Sequence, residues 1–170
     1  MLVNNAIVAL SSLAALTLAA PTQIEVEKRA TSFSGYLHAT RLHGSPAFNK
    51  TLEYNNDGNL GVSNPNNGFN YFPSSKDPSR GTLSITGPYC LTASKATGNS
   101  VLTEQYCNDT EEQLFTANDQ GNYVVLSLRG DGSSKHPSRP YLTVKSNNDV
   151  EVTSTSAGQN NIHLVMYKLG

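Results

Sequence analysis

The sequence predicts an all-β fold, and two observations carry the prediction. No stretch sustains a helical apolar period, whereas short alternating runs punctuated by Gly, Pro and Asn recur along the chain. These runs are TLSI (82–85), SVLTEQY (100–106), YVVLSL (123–128), VEVTSTS (150–156) and IHLVMYKL (162–169). The second observation is repetition. TSFSGYLHA (31–39) matches TLSITGPYCLTA (82–93), and VLSLRGDGSSKHPSRPYLTV (125–144) keeps the same order around a longer loop. NSVLTEQYCNDTEEQLF (99–115) lies without gaps on NDVEVTSTSAGQNNIHL (148–164), with GNLGVSNPNNGFNYF (58–72) a looser, shorter counterpart.

Taken in chain order, the first element is an address. Ala6 to Ala20 is an apolar run too short to span a bilayer, and it ends in small residues as a signal peptide does. Thr17 and Ala19 favour cleavage after Ala19, which gives a signal peptide over 1–19. Residues 20–29 are polar and end in the dibasic pair Lys28 and Arg29. That segment resembles a pro-segment removed by a kexin-type protease, an arrangement common in fungal secreted proteins. The expected mature chain is a single domain over 30–170, extracellular or attached to a cell wall. It holds no second apolar segment for a membrane.

The mature domain reads as three units, about 30–80, 81–122 and 123–170, each strand, turn, strand, loop, strand, turn, strand. One such unit cannot bury its apolar face alone, but three around a pseudo-threefold axis close a barrel and remove the exposed edges. The core then draws on equivalent places: Leu37, Leu91 and Leu142; Phe72, Phe115 and Leu164; Leu83 and Leu126 with Phe33. The first strand, at Phe33, is expected to pair near the last at Val165–Leu169. This is a β-trefoil; a two-sheet β-sandwich is the alternative, and the threefold matching counts against it.

Charge and cysteine content narrow the chemistry. The chain has 12 Lys and Arg against 13 Asp and Glu, a net charge of −1, and removal of Glu25, Glu27, Lys28 and Arg29 leaves that balance intact. No basic cluster tracks a phosphate backbone, so nucleic acid is not an expected partner. The two cysteines, Cys90 and Cys107, allow a single pairing, and in an exported chain they are read as a disulfide. A loop of ~17 residues makes that bridge worth roughly 3 kcal/mol in the chain-entropy account. None of the histidines falls in a zinc-type motif, so neither metal nor cofactor is expected.

Unit 2, YCLTASKATGNSVLTEQYCNDTEEQLF, resembles a repeat of the ricin B-type (R-type) lectins, which are β-trefoils. Cys90-Leu91, Gly98-Asn99, Val101-Leu102, Cys107 and Gln113-Leu114-Phe115 occupy the places of that family's Cys-Leu-Asp, Gly-Asn turn, apolar strand, second Cys and Gln-any-Trp triplet. The resemblance is weaker in unit 3 and weakest in unit 1. It implies that Phe115 is a core residue at the barrel bottom and that Gln113 fixes a turn. It also implies where sugar would sit: at an Asp after Cys-Leu, an aromatic platform before the second Cys, and an Asn ahead of the Gln. Here those positions hold Thr92, Gln105 (with Tyr106 beside it) and Glu112. Unit 3 has Thr143, Asn161 and Ile162, and unit 1 has His38 and Asn70-Tyr71-Phe72. No unit keeps the carboxylate, so a galactose site of the family type is not expected.

Other motifs are sparse. Asn49 and Asn108 head glycosylation acceptors, and a glycan on Asn108 would crowd the rim of the unit-2 site. Arg129-Gly130-Asp131 is read as an ordinary Gly/Ser turn. DPSRG (77–81) and HPSRP (136–140) each set an Arg beside Pro, as loops of trefoil protease inhibitors do. No nucleophile elbow or His-Glu-x-x-His motif is present, and Glu104, Glu111 and Glu112 show no spacing that sets two carboxylates across a cleft. The expected protein is therefore a non-enzyme that binds glycans or cell-wall polysaccharide. The alternative partner is a secreted protease or a host protein, met through the loops at Arg80 and Arg139.

Overall fold

A computed structural model describes residues 31–44, 46–64, 67–131, 133–154 and 161–169; the expected signal peptide, the expected pro-segment with Lys28 and Arg29, and Ala30 lie outside them. The described residues form an all-β structure of twelve strands. They are β1 (Phe33–Arg41), β2 (Asn49–Tyr54), β3 (Leu60–Val62), β4 (Phe69–Pro73), β5 (Arg80–Ser84), β6 (Tyr89–Ala93), β7 (Ser100–Tyr106), β8 (Phe115–Asp119), β9 (Tyr123–Leu128), β10 (Tyr141–Val144), β11 (Val150–Thr153) and β12 (Ile162–Lys168).

Six of them close a barrel. β1 pairs with β4, β4 with β5, β5 with β8, β8 with β9, β9 with β12, and β12 returns to β1. The expected pairing of the first strand with the last forms the seam, running from Gly35 opposite Lys168 to Arg41 opposite Ile162. The other six strands form three hairpins, β2–β3, β6–β7 and β10–β11, one in each sequence unit. Closure leaves the barrel strands without free edges.

Alternation along the strands sends one set of side chains inward. Leu37, Phe69, Tyr71, Leu83, Phe115, Leu126, Leu164 and Met166 fill the barrel, and Leu52, Leu60, Leu91, Leu102, Leu142 and Val150 continue the core beneath the hairpins. Phe33 stacks on Tyr71 from a half-buried position.

Three sequence-based assignments need correction. Phe72 is 50 % exposed, and its neighbour Tyr71 is the interior residue of β4, because the strand alternates Phe69 in, Asn70 half-out, Tyr71 in, Phe72 out. Leu37 is buried as expected but belongs to barrel strand β1. Leu91 and Leu142 sit on the first strands of their hairpins, where unit 1 has Leu52 on β2. Finally, the gapless match of 99–115 onto 148–164 is one residue out of phase. It sets buried Leu102 against half-exposed Glu151, whereas the main-chain bonds Ser94 N–H to Val101 O and Lys145 N–H to Asp149 O make Leu102 the counterpart of Val150.

Cys90 and Cys107 form a disulfide, with Cα atoms 5.0 Å apart, at the open end of the β6–β7 hairpin. A bridge with Cys90 buried is compatible with an extracellular protein.

Candidate functional site

The cross-strand register of the second hairpin decides which of the proposed ligand positions can meet. Cys90 lies opposite Gln105 and Thr92 opposite Thr103, and partners in an antiparallel pair share a face. Thr92 and Gln105 therefore look to one side. The segment Asn108–Gln113 folds over that side, anchored by the Ala93 N–H donating to the Glu112 carbonyl at 2.9 Å and by the Cys107 N–H donating to the Pro88 carbonyl at 2.8 Å. Between hairpin and segment lies a shallow groove of about 300 Å³. Thr92, Gln105, Asn108, Glu112 and Gln113 all line it, with Ser94 and Lys95 at one end.

Within the groove, two of these side chains are already engaged. Gln113 is 1 % exposed, and its amide makes three hydrogen bonds. Its Nε2 donates to Thr92 Oγ1 (3.0 Å) and the Tyr106 carbonyl (2.8 Å), and its Oε1 accepts from the Asn108 N–H (2.9 Å). The Thr92 hydroxyl in turn donates to the Cys90 carbonyl at 3.0 Å. The pair thus ties the disulfide strand to the turn after Cys107. The remaining polar side chains of the groove are the exposed Gln105, whose Nε2 donates to Thr103 Oγ1 at 3.4 Å, the exposed Asn108, and the half-buried Glu112, whose carboxylate stands 3.2 Å from His136 Nδ1. Gln113→Ala is expected to destabilise the fold by about 1–3 kcal/mol, since buried donors and acceptors lose their partner. Gln105→Ala is expected to cost under about 0.5 kcal/mol. Urea melts of the two variants check this ranking.

Tyr106 does not join the groove. It faces the other side of the hairpin, cross-strand from Tyr89, and the two rings meet edge to face with centroids 5.7 Å apart. Both are exposed, Tyr106 by 64 % and Tyr89 by 46 %. The sequence reading missed Tyr89, although a Tyr immediately before each cysteine was a signal that both would flank the bridge. It also missed His136, the first residue of the HPSRP loop, because that loop was read for Arg139 and its approach to Glu112 joins unit 3 to unit 2.

The corresponding places in the other units are turned to internal contacts. His38 Nδ1 and Asn49 Oδ1 are 2.7 Å apart. Asn70 accepts from Ser34 and donates to the Ile85 carbonyl. Ile162 is buried. The glycosylation acceptors Asn49 and Asn108 are both exposed.

In the two arginine loops both guanidinium groups make internal contacts. Arg139 is 3 % exposed; its Nη1 donates to the Lys95 carbonyl at 2.8 Å. Burial pulls its guanidinium below the usual arginine range, and the nearby Glu112 carboxylate opposes that shift. Arg80 is held by Asp77 and Glu111 in a doubly ion-paired arrangement and donates to the Gly130 carbonyl at 3.3 Å. Asp77 is kept below the usual carboxylate range, first by the Ser79 hydroxyl and then by Arg80. In the Arg-Gly-Asp turn, Arg129 and Asp131 are exposed around a buried Gly130 with φ of 60°.

No protein-family model matches the chain, and no curated protein is detectably similar to it.

Proposed function

We propose that the protein is an exported, non-enzymatic β-trefoil that binds cell-wall polysaccharide through the polar groove of its second hairpin, a reduced form of a ricin B-type site. The trefoil reading rests on a six-strand barrel with one hairpin per sequence unit, a threefold plan that a two-sheet sandwich lacks. Export rests on the N-terminal segment of the sequence together with the disulfide. The carbohydrate reading is carried by one observation: four side chains from separate parts of the repeat, Thr92, Gln105, Glu112 and Gln113, line one groove. With Thr92 and Gln113 bonded to each other, what remains is the exposed amides of Gln105 and Asn108 and a half-buried carboxylate, Glu112, against His136. That inventory suits shallow contact with an extended polymer better than enclosure of a single galactose, which needs charge-assisted bonds to neighbouring hydroxyls.

The protein-binding alternative has less support, because burial of Arg139 and ion pairing of Arg80 remove its two anchor side chains. Co-sedimentation with insoluble cell-wall polysaccharides, run beside inhibition assays on serine and cysteine proteases, separates the readings. Retention on polysaccharide that drops with Gln105→Ala and Glu112→Gln is the expected result. Protease inhibition without retention would replace this proposal with the alternative.

A further inference from the structure

The face of the second hairpin opposite the groove carries its own chemistry. Cross-strand register puts Tyr89 with Tyr106 and Leu91 with Glu104 on that face, so Glu104 follows Tyr106 at the two-residue repeat of a strand. Leu91 is buried in the core, but Glu104 is exposed, and its backbone N–H is fixed by the Gly58 carbonyl at 3.0 Å. Among the described residues no cation pairs with the Glu104 carboxylate. The tyrosines meet edge to face, an arrangement that leaves ring surface open to solvent, and the disulfide beside them holds both strand ends in place. Two exposed aromatic rings and an exposed carboxylate without a cation partner thus share one face of the hairpin, with the half-buried Tyr54 also near that carboxylate.

We propose that this edge is a second binding site, specific for amino-sugar polysaccharide with free glucosamine units; the inference rests on the polysaccharide reading above and adds the ligand class. A pyranose ring offers a flat C–H face to an aromatic ring. An ammonium on that same ring is drawn both to the electron-rich tyrosine faces and to Glu104. Neutral sugars give the carboxylate no counter-charge, and acidic sugars are repelled by it. The groove lacks this combination, since its carboxylate, Glu112, already lies against His136 and its rim carries no aromatic ring.

Calorimetric titration of the mature protein, secreted from a eukaryotic host, tests the site with four probes: a glucosamine hexamer, an N-acetylglucosamine hexamer, cellohexaose and hexalysine. The glucosamine hexamer is expected to bind best. Tyr106→Ala should weaken it by about tenfold and Glu104→Gln by roughly three- to fivefold, while Phe72→Ala, an exposed aromatic on β4, leaves it unchanged. Binding that ignores Tyr106→Ala, or hexalysine binding as tightly as the amino sugar, would overturn the proposal. Retention on neutral polysaccharide with no response to the glucosamine hexamer would also overturn it and leave the groove reading standing. Failure of every polysaccharide would overturn both.

Discussion

Replacing Phe115 by alanine is expected to lower the free energy of unfolding by about 3–5 kcal/mol, the range for emptying a packed aromatic site. Phe115 is fully buried, pairs with Gly81 on one side and Leu128 on the other, and its carbonyl accepts the Tyr71 hydroxyl at 3.1 Å. Removing the ring leaves a cavity where three barrel strands meet, and none of those strands can close on it without giving up main-chain pairing. Phe72→Ala is the matched control. Half exposed on β4, it should cost about 1 kcal/mol or less, as surface substitutions do. Denaturant melts of both variants check the assignment; equal losses would mean that the face of β4 has been misplaced.

The second large effect is expected at Gly35. This residue lies in the β1–β12 seam opposite Lys168, and a Cβ there would run into the Tyr167 carbonyl oxygen and come within 2.6 Å of Met166 Cγ. Backbone cannot yield as a flexible side chain can, so Gly35→Ala must push apart the two strands that close the barrel. A loss of about 3 kcal/mol, the upper end for overpacking, is expected, with Gly35→Val failing to fold. Gly87→Ala provides the contrast. Its φ of 69° strains an alanine, but nothing lies within 4 Å of the added atom, so only the roughly 1–2 kcal/mol of left-handed strain applies. Thermal melts should place Gly35→Ala below Gly87→Ala, with Gly35→Val showing no cooperative transition.

Much of this architecture was legible in the sequence wherever one face of a strand is buried and the other wet. β7 and β9 have the bounds that their alternating runs suggest, and the repeats correctly joined the first strand to the last. Unit 1 resisted because β1 runs unbroken from Phe33 to Arg41, through the point where units 2 and 3 turn from barrel strand to hairpin. Matching by residue type therefore set a barrel leucine, Leu37, against hairpin leucines. At β4, two adjacent aromatics, Tyr71 and Phe72, present the same pattern in either register, and a slip of one residue exchanges the faces. The turn lengths caused the other slip: residues 94–101 span a longer turn than 145–149, which a gapless match cannot register. The groove was readable because its residues lie in one hairpin and its trailing turn. Long-range partners such as Glu112 with His136 were not, since closure of the barrel alone brings them together.

Thr92 and Gln113 are structural, bonded to each other within the groove, and calorimetric titration of the deglycosylated mature protein with galactose and lactose at millimolar concentration tests that role most directly. A hydroxyl already shared between Cys90 and Gln113 cannot replace a carboxylate that accepts two charge-assisted bonds, each roughly twice as strong as a neutral one. The predicted result is no saturable heat for either sugar. Saturable binding that disappears with Gln113→Ala, in a variant verified to be folded, would make this groove a working galactose site and contradict the account.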